Sequence, residues 1–186
     1  KMEKERWNLC FSITAFLLLI YITGFSQDKN FGKFLGSQSP NKFVGTSMYR
    51  FYEKQIEIVE VTTAGQNQTT TVTIKFDPCQ ASADFLANQQ SGGLIKNGEI
   101  ATISRDPNLP PNAVKVRMYF EDATIISCTS TQACNGAMAT TVQLKPARIC
   151  WIYNNYDKAN GKLLNTTSIG FDTKSGKPWT VTPPNF

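Results

Sequence analysis

Two-residue alternation limits this chain more than any other feature. In Thr69–Phe76, Val72, Ile74 and Phe76 alternate with Thr71, Thr73 and Lys75. Successive strand residues point to opposite faces, so such a segment buries one face of a sheet and wets the other. Val114, Val116, Met118 and Phe120 alternate in the same way with Lys115, Arg117 and Tyr119. Ala123–Thr129, Met138–Leu144 and Arg148–Tyr153 are further strand candidates, rich in the β-branched and aromatic residues that fit a pleated surface. Met48–Thr63 reads as one long strand, with Ile56 and Ile58 on one phase and Val59 and Val61 on the other. A one-residue slip of that kind is what a bulge produces. Across Ala64-Gly65-Gln66-Asn67 it forms a hairpin with Thr69–Phe76. Lys96-Asn97-Gly98-Glu99 predicts a second tight turn, between Leu94-Ile95 and Ile100–Ile103.

Helix signals occur together once beyond the N-terminal segment. Asp77 is a candidate N-cap, Pro78 suits the first helical position and Gly92 suits the stop, which predicts a short helix to about Gln90. Pro107, Pro110 and Pro111 mark a rigid loop. Near the end, Tyr156-Asp157-Lys158-Ala159-Asn160-Gly161-Lys162 is echoed by Phe171-Asp172-Thr173-Lys174-Ser175-Gly176-Lys177. Asp to satisfy turn amides, Gly for positive φ and Lys to restart the chain in solvent predict two successive hairpin turns. Many strands, one short helix and no βαβ alternation give a mainly β fold. The expectation is an antiparallel β-sandwich or barrel-like domain, with the helix closing one end. This β-rich, disulfide-bonded domain spans 48–186. Residues 27–47 read as an irregular lead-in, because Gly32, Gly36, Pro40 and Gly45 oppose regular structure.

Ahead of it, residues 1–26 combine Lys1, Lys4 and Arg6 with a charge-free run from Leu9 to Phe25, and Gly24 and Ser26 place small residues before Gln27. A basic start, an apolar stretch and a small-x-small exit describe a secretory signal peptide, and the same run retained would be a hydrophobic anchor helix. Both readings place the domain outside the cytoplasm, in the periplasm or at the cell surface. There, Cys79, Cys128, Cys134 and Cys150 read as two disulfides, the short Cys128–Cys134 loop and then Cys79–Cys150.

The sequence contains no His, which excludes His-based triads, His-ligated zinc and His-ligated haem. It carries no phosphate-binding Gly-rich loop, nucleophile elbow or calcium loop, so no cofactor or metal is expected. Glu121 and Asp122 are adjacent but fall on opposite faces of a strand, and Glu53, Glu57 and Glu60 read as solvated. The net charge of +5 is spread out rather than run together, which argues against nucleic acid as a partner.

Binding candidates lie toward the C-terminus. Trp151, Tyr153, Tyr156 and Trp179 are interleaved with Asn154, Asn155 and Asp157, a mixture that can stack on sugar rings and read hydroxyls. Asn67 and Asn165 each begin an N-glycosylation pattern. The first functional expectation is therefore an exported, non-catalytic binding or adhesion module whose partner is a glycan or protein at the cell surface. In the second, residues 9–25 stay as a helix that touches the membrane or packs among copies of itself. That outline of N-terminal hydrophobic helix and β-rich head is similar to type IV pilins, and it implies a self-assembling filament subunit. A secreted hydrolase or inhibitor is the third.

Overall fold

The alternating segments build an eight-stranded antiparallel sheet, seen in a computed structural model that describes residues 28–37, 42–66, 69–132 and 136–181. The order along the chain is β1 (Lys29–Gly36), β2 (Ile56–Gln66), β3 (Thr69–Phe76), helix α1 (Gln80–Gln90), β4 (Leu94–Ile103), β5 (Val114–Gln132), β6 (Met138–Lys145), β7 (Arg148–Tyr156) and β8 (Leu163–Asp172). In space the strands run β4-β1-β2-β3-β6-β5-β7-β8, and β4 also pairs with β5. That extra pairing closes six strands into a barrel and leaves β7 and β8 outside the ring. Closure removes the exposed sheet edges that an open sheet would carry.

The barrel is filled by one apolar cluster that includes Phe34, Ile58, Ile74, Phe120, Val142 and Leu144. Helix α1 closes one end by driving Phe85 into it. The Phe85 ring lies 4.6 Å from Phe43, 5.3 Å from Phe34 and 5.9 Å from Phe76. The helix is anchored to the rim by Ser82 Oγ, 2.8 Å from Thr140 Oγ1, and by Gln89 Nε2, which donates to the Ile126 carbonyl. Its cap is Cys79 rather than the expected Asp77, because Ser82 Oγ, three residues on, accepts the Cys79 amide at 3.2 Å. Gly92 takes φ +68° just after the helix, as its position predicts.

The β2–β3 hairpin forms with its slip in place, the register shifting between Ile58 and Glu60. Four expectations are corrected. Residues 29–36 are a full strand, not part of an irregular lead-in. Gly32 is needed there because a Cβ would run into the Phe34 ring and the Ile58 side chain. Strand β2 begins at Ile56, and residues 48–55 are turns instead of strand. Asn97-Gly98 is no turn: β4 passes straight through it, and Gly98 faces Phe120 across the β4–β5 ladder. Val114–Phe120 and Ala123–Thr129 are one 19-residue strand, bent where Asp122 adopts φ +48°.

Cys79, Cys128 and Cys150 are free thiols. The expected Cys79–Cys150 bridge is absent because the two residues lie in different parts of the fold. Cys79 caps α1 at the barrel end, whereas Cys150 sits opposite Tyr119 on β7. Cys128 donates weakly to the Ser82 carbonyl at 3.9 Å. Cys134, the other half of the expected short loop, lies outside the described residues, as do the hydrophobic segment 1–26 and Asn67.

Candidate interaction surface

Strand β5 serves two structures at once. Its first half is flanked by β4 on one side and β7 on the other, and its second half pairs with β6. Since β6 runs into β7 through Pro146-Ala147, the β7–β8 pair continues off the barrel wall as an arm. Each repeated sequence motif makes the same turn there. Gly161 N–H donates to the Asp157 carbonyl at 2.7 Å and Gly176 N–H to that of Asp172 at 2.8 Å. Both glycines hold positive φ, and the Asp157 and Asp172 carboxylates accept amides at the starts of their turns. Those bonds, from Ser175 foremost, hold the Asp172 pKa below its ordinary value.

The root of the arm is packed and its outer part is not. Ile149 is buried, and Trp151 rests 5.9 Å from Phe171 against the barrel cluster. Farther along the same face, Tyr153 and Ile169 are exposed, Ile169 by 60%. On the opposite face, Asn154 Nδ2 and the Tyr156 hydroxyl donate to the Val114 carbonyl at 2.9 and 3.3 Å. Strand β8 is exposed at every position from Leu163 to Ile169, and β7 is its sole strand partner among the described residues.

Arg148 clamps the root. Its guanidinium holds Glu121 at 2.8 Å and both Asp122 and Asp172 at 3.9 Å, beside a cleft of about 790 Å³. Glu121 and Asp122 were expected on opposite faces, but the positive φ of Asp122 breaks the alternation and lets both approach one arginine. A carboxylate group gathered on one arginine in this way fastens the arm to the barrel. It is not the facing pair across a cleft that glycoside hydrolysis needs.

A second cluster covers the outer barrel wall. Tyr49 and Tyr52 stack on the buried Phe31 ring at 5.3 and 4.7 Å. Beside them Arg117 pairs with Glu99 at 2.8 Å and donates to the Tyr119 hydroxyl at 3.4 Å. Burial raises the pKa of both Tyr52 and Tyr119. For Arg117 burial acts against the charge, but the Tyr119 hydroxyl and Glu99 outweigh it and the pKa rises.

The four rings singled out from the sequence do not share one surface. Trp151 and Tyr153 fall on one face of the arm, Tyr156 on the other, and Trp179 packs across the β8 edge by donating its amide to the Gly170 carbonyl at 2.9 Å. Sequence reasoning missed the exposed length of β8 and the turns at 48–55. A signal for β8 existed in Leu163-Leu164, an apolar pair that cannot be buried on one face of a strand. Among the described residues, no group of three Cys, Asp or Glu side chains could hold a metal ion, and no helix is long and apolar enough to cross a membrane.

No protein-family model and no curated protein sequence matches the chain. Solved structures do. Hcp1 from Salmonella typhimurium superposes with a TM-score of 0.67 at 15% identity, covering 82% of this chain and 99% of the other. A structure described as a type six secretion system protein gives 0.69 at 14% identity, over 82% and 100% of the two chains. The secreted protein Hcp3 from Pseudomonas aeruginosa gives 0.61 at 16% identity, over 78% and 98%. At these identities the likeness is one of fold: the chain shares the overall antiparallel β architecture of these structures.

Proposed function

We propose that this chain is an exported, non-catalytic structural subunit that assembles with copies of itself in a secretion apparatus. The observation that carries the reading is the β7–β8 arm. Beyond Tyr153, where β7 parts from β5, the arm is two strands wide, and the free edge of β8 is a template for another chain. On β8, Leu163, Leu164 and Ile169 are exposed by 53%, 66% and 60%. An identical neighbour laid against the arm would cover them. Repeated head to tail, that contact builds closed rings or open filaments. The fold shared with a type six secretion system protein and with a secreted Hcp protein supports the same direction. Export is supported by the basic start and the apolar run of residues 9–25.

Adhesion through a glycan would need the aromatic rings on one surface, and their division between two faces of the arm gives that reading less support. The pilin-like alternative depends on residues 9–25, outside the described part of the chain. Sedimentation velocity and electron microscopy of the chain from Gln27 onward test the assembly. The wild type is expected to form a discrete oligomer, and Leu164→Lys with Ile169→Lys is expected to sediment as a folded monomer. A monomeric wild type at tens of micromolar would remove the proposal.

A further inference from the structure

We propose that the loop of residues 45–55, between β1 and β2, is a preformed docking surface for a protein partner presenting apolar side chains ringed by carboxylates. Phe51 lies at φ +71°, a conformation that bulky residues rarely adopt, and is exposed by 63%. Nearby, Met48 is exposed by 93%. Inside the chain the exposed ring gains the Arg50 guanidinium as a neighbour, a weak return for a strained backbone. Such outliers persist where the surrounding structure holds them for function.

That holding is visible. Gly45 N–H donates to the Lys54 carbonyl and Lys54 N–H to that of Ser47, both at 2.8 Å. Tyr52 N–H donates to the Tyr49 carbonyl, also at 2.8 Å, and both rings are stacked on Phe31. The tip is therefore preorganised, and a partner loses little to ordering it. The same loop lines a cavity of about 320 Å³ with Phe34, Phe43 and Val44 among its apolar walls.

Charge selects the occupant. Lys42, Lys54 and the acid Glu53 line that cavity and Arg50 adjoins Phe51, and none of the four forms an ion pair among the described residues. The Arg50 guanidinium lies 5.0 Å from the Phe51 ring, which sets a cation beside the apolar knob. Three cations against one acid make a partner with an acidic surface complementary to this loop. This surface is separate from the arm and does not depend on the assembly reading.

The probe is an end-capped peptide carrying leucine and phenylalanine among four glutamates, with a control in which lysines replace the glutamates. Titration by NMR is expected to give the acidic peptide a Kd below about 1 mM and the basic one no binding. Phe51→Gly should weaken binding at least tenfold while raising Tm, and Lys42→Glu with Arg50→Glu should weaken it without a change in fold. Equal affinity for the two peptides, or unchanged affinity in both variants, overturns the proposal. So does a change in the sedimentation of Phe51→Gly alone, which would make a second copy the occupant.

Discussion

Glycine was the residue easiest to misread. Gly32 and Gly98 look like breakers in the sequence, yet both lie inside strands, because a neighbouring aromatic ring occupies the space a Cβ would need. Gly98→Ala would press a methyl group into the Phe120 ring, and overpacking of this kind costs about 1–3 kcal/mol. Urea denaturation of the variant should show that loss with an unchanged slope, since the fold itself survives. Gly161 and Gly176 were legible for the opposite reason. Their motif repeats, and a turn that needs positive φ leaves a local trace that close approach to a distant ring does not. The same distinction explains Asp122, whose positive φ no neighbouring residue announces and which made one strand look like two.

Among the elements, alternation revealed β3 and the start of β5 because each has one face in the barrel and one in water, and composition revealed β6. Alternation failed for β8, where both faces are wet and there is no burial to pattern. Helix α1 was recognised from its flanking proline and glycine, with its cap displaced by two residues because Ser82 bonds the Cys79 amide. The β8 turn carries a pH signature. Asp172 has a lowered pKa, so its stabilising contribution is complete above the ordinary carboxylate value of about 3.9 and is lost as pH falls through the lower folded value. Asp172→Asn keeps an acceptor for the Lys174 and Ser175 amides but cannot titrate. Thermal melts from pH 5 downward should therefore fall less steeply for the variant than for the wild type.

For the whole molecule, composition and pattern established the mainly β class, but closure was not legible. It depends on β1 pairing with β4 and β3 with β6, strands far apart in the chain whose partnership no local window contains. The thiols follow from that architecture. Cys150 is buried on β7, burial raises its pKa together with that of Cys128, and the three described cysteines lie unbridged. Alkylation in denaturant without reductant should add a label at each of Cys79, Cys128 and Cys150, and a label gained only after reduction would restore the bridges. The double duty of β5 has a mechanical consequence. A strand gripped by the barrel on one side and the arm on the other transmits tension lengthwise, and β6, continuous with β7, does the same from the other side of the joint. A tug on the arm along its own axis must slide whole rungs of hydrogen bonds past one another at once. It cannot unzip them singly, so neighbours hauling on these arms would load the barrels themselves, and a string of such subunits would behave as a cable.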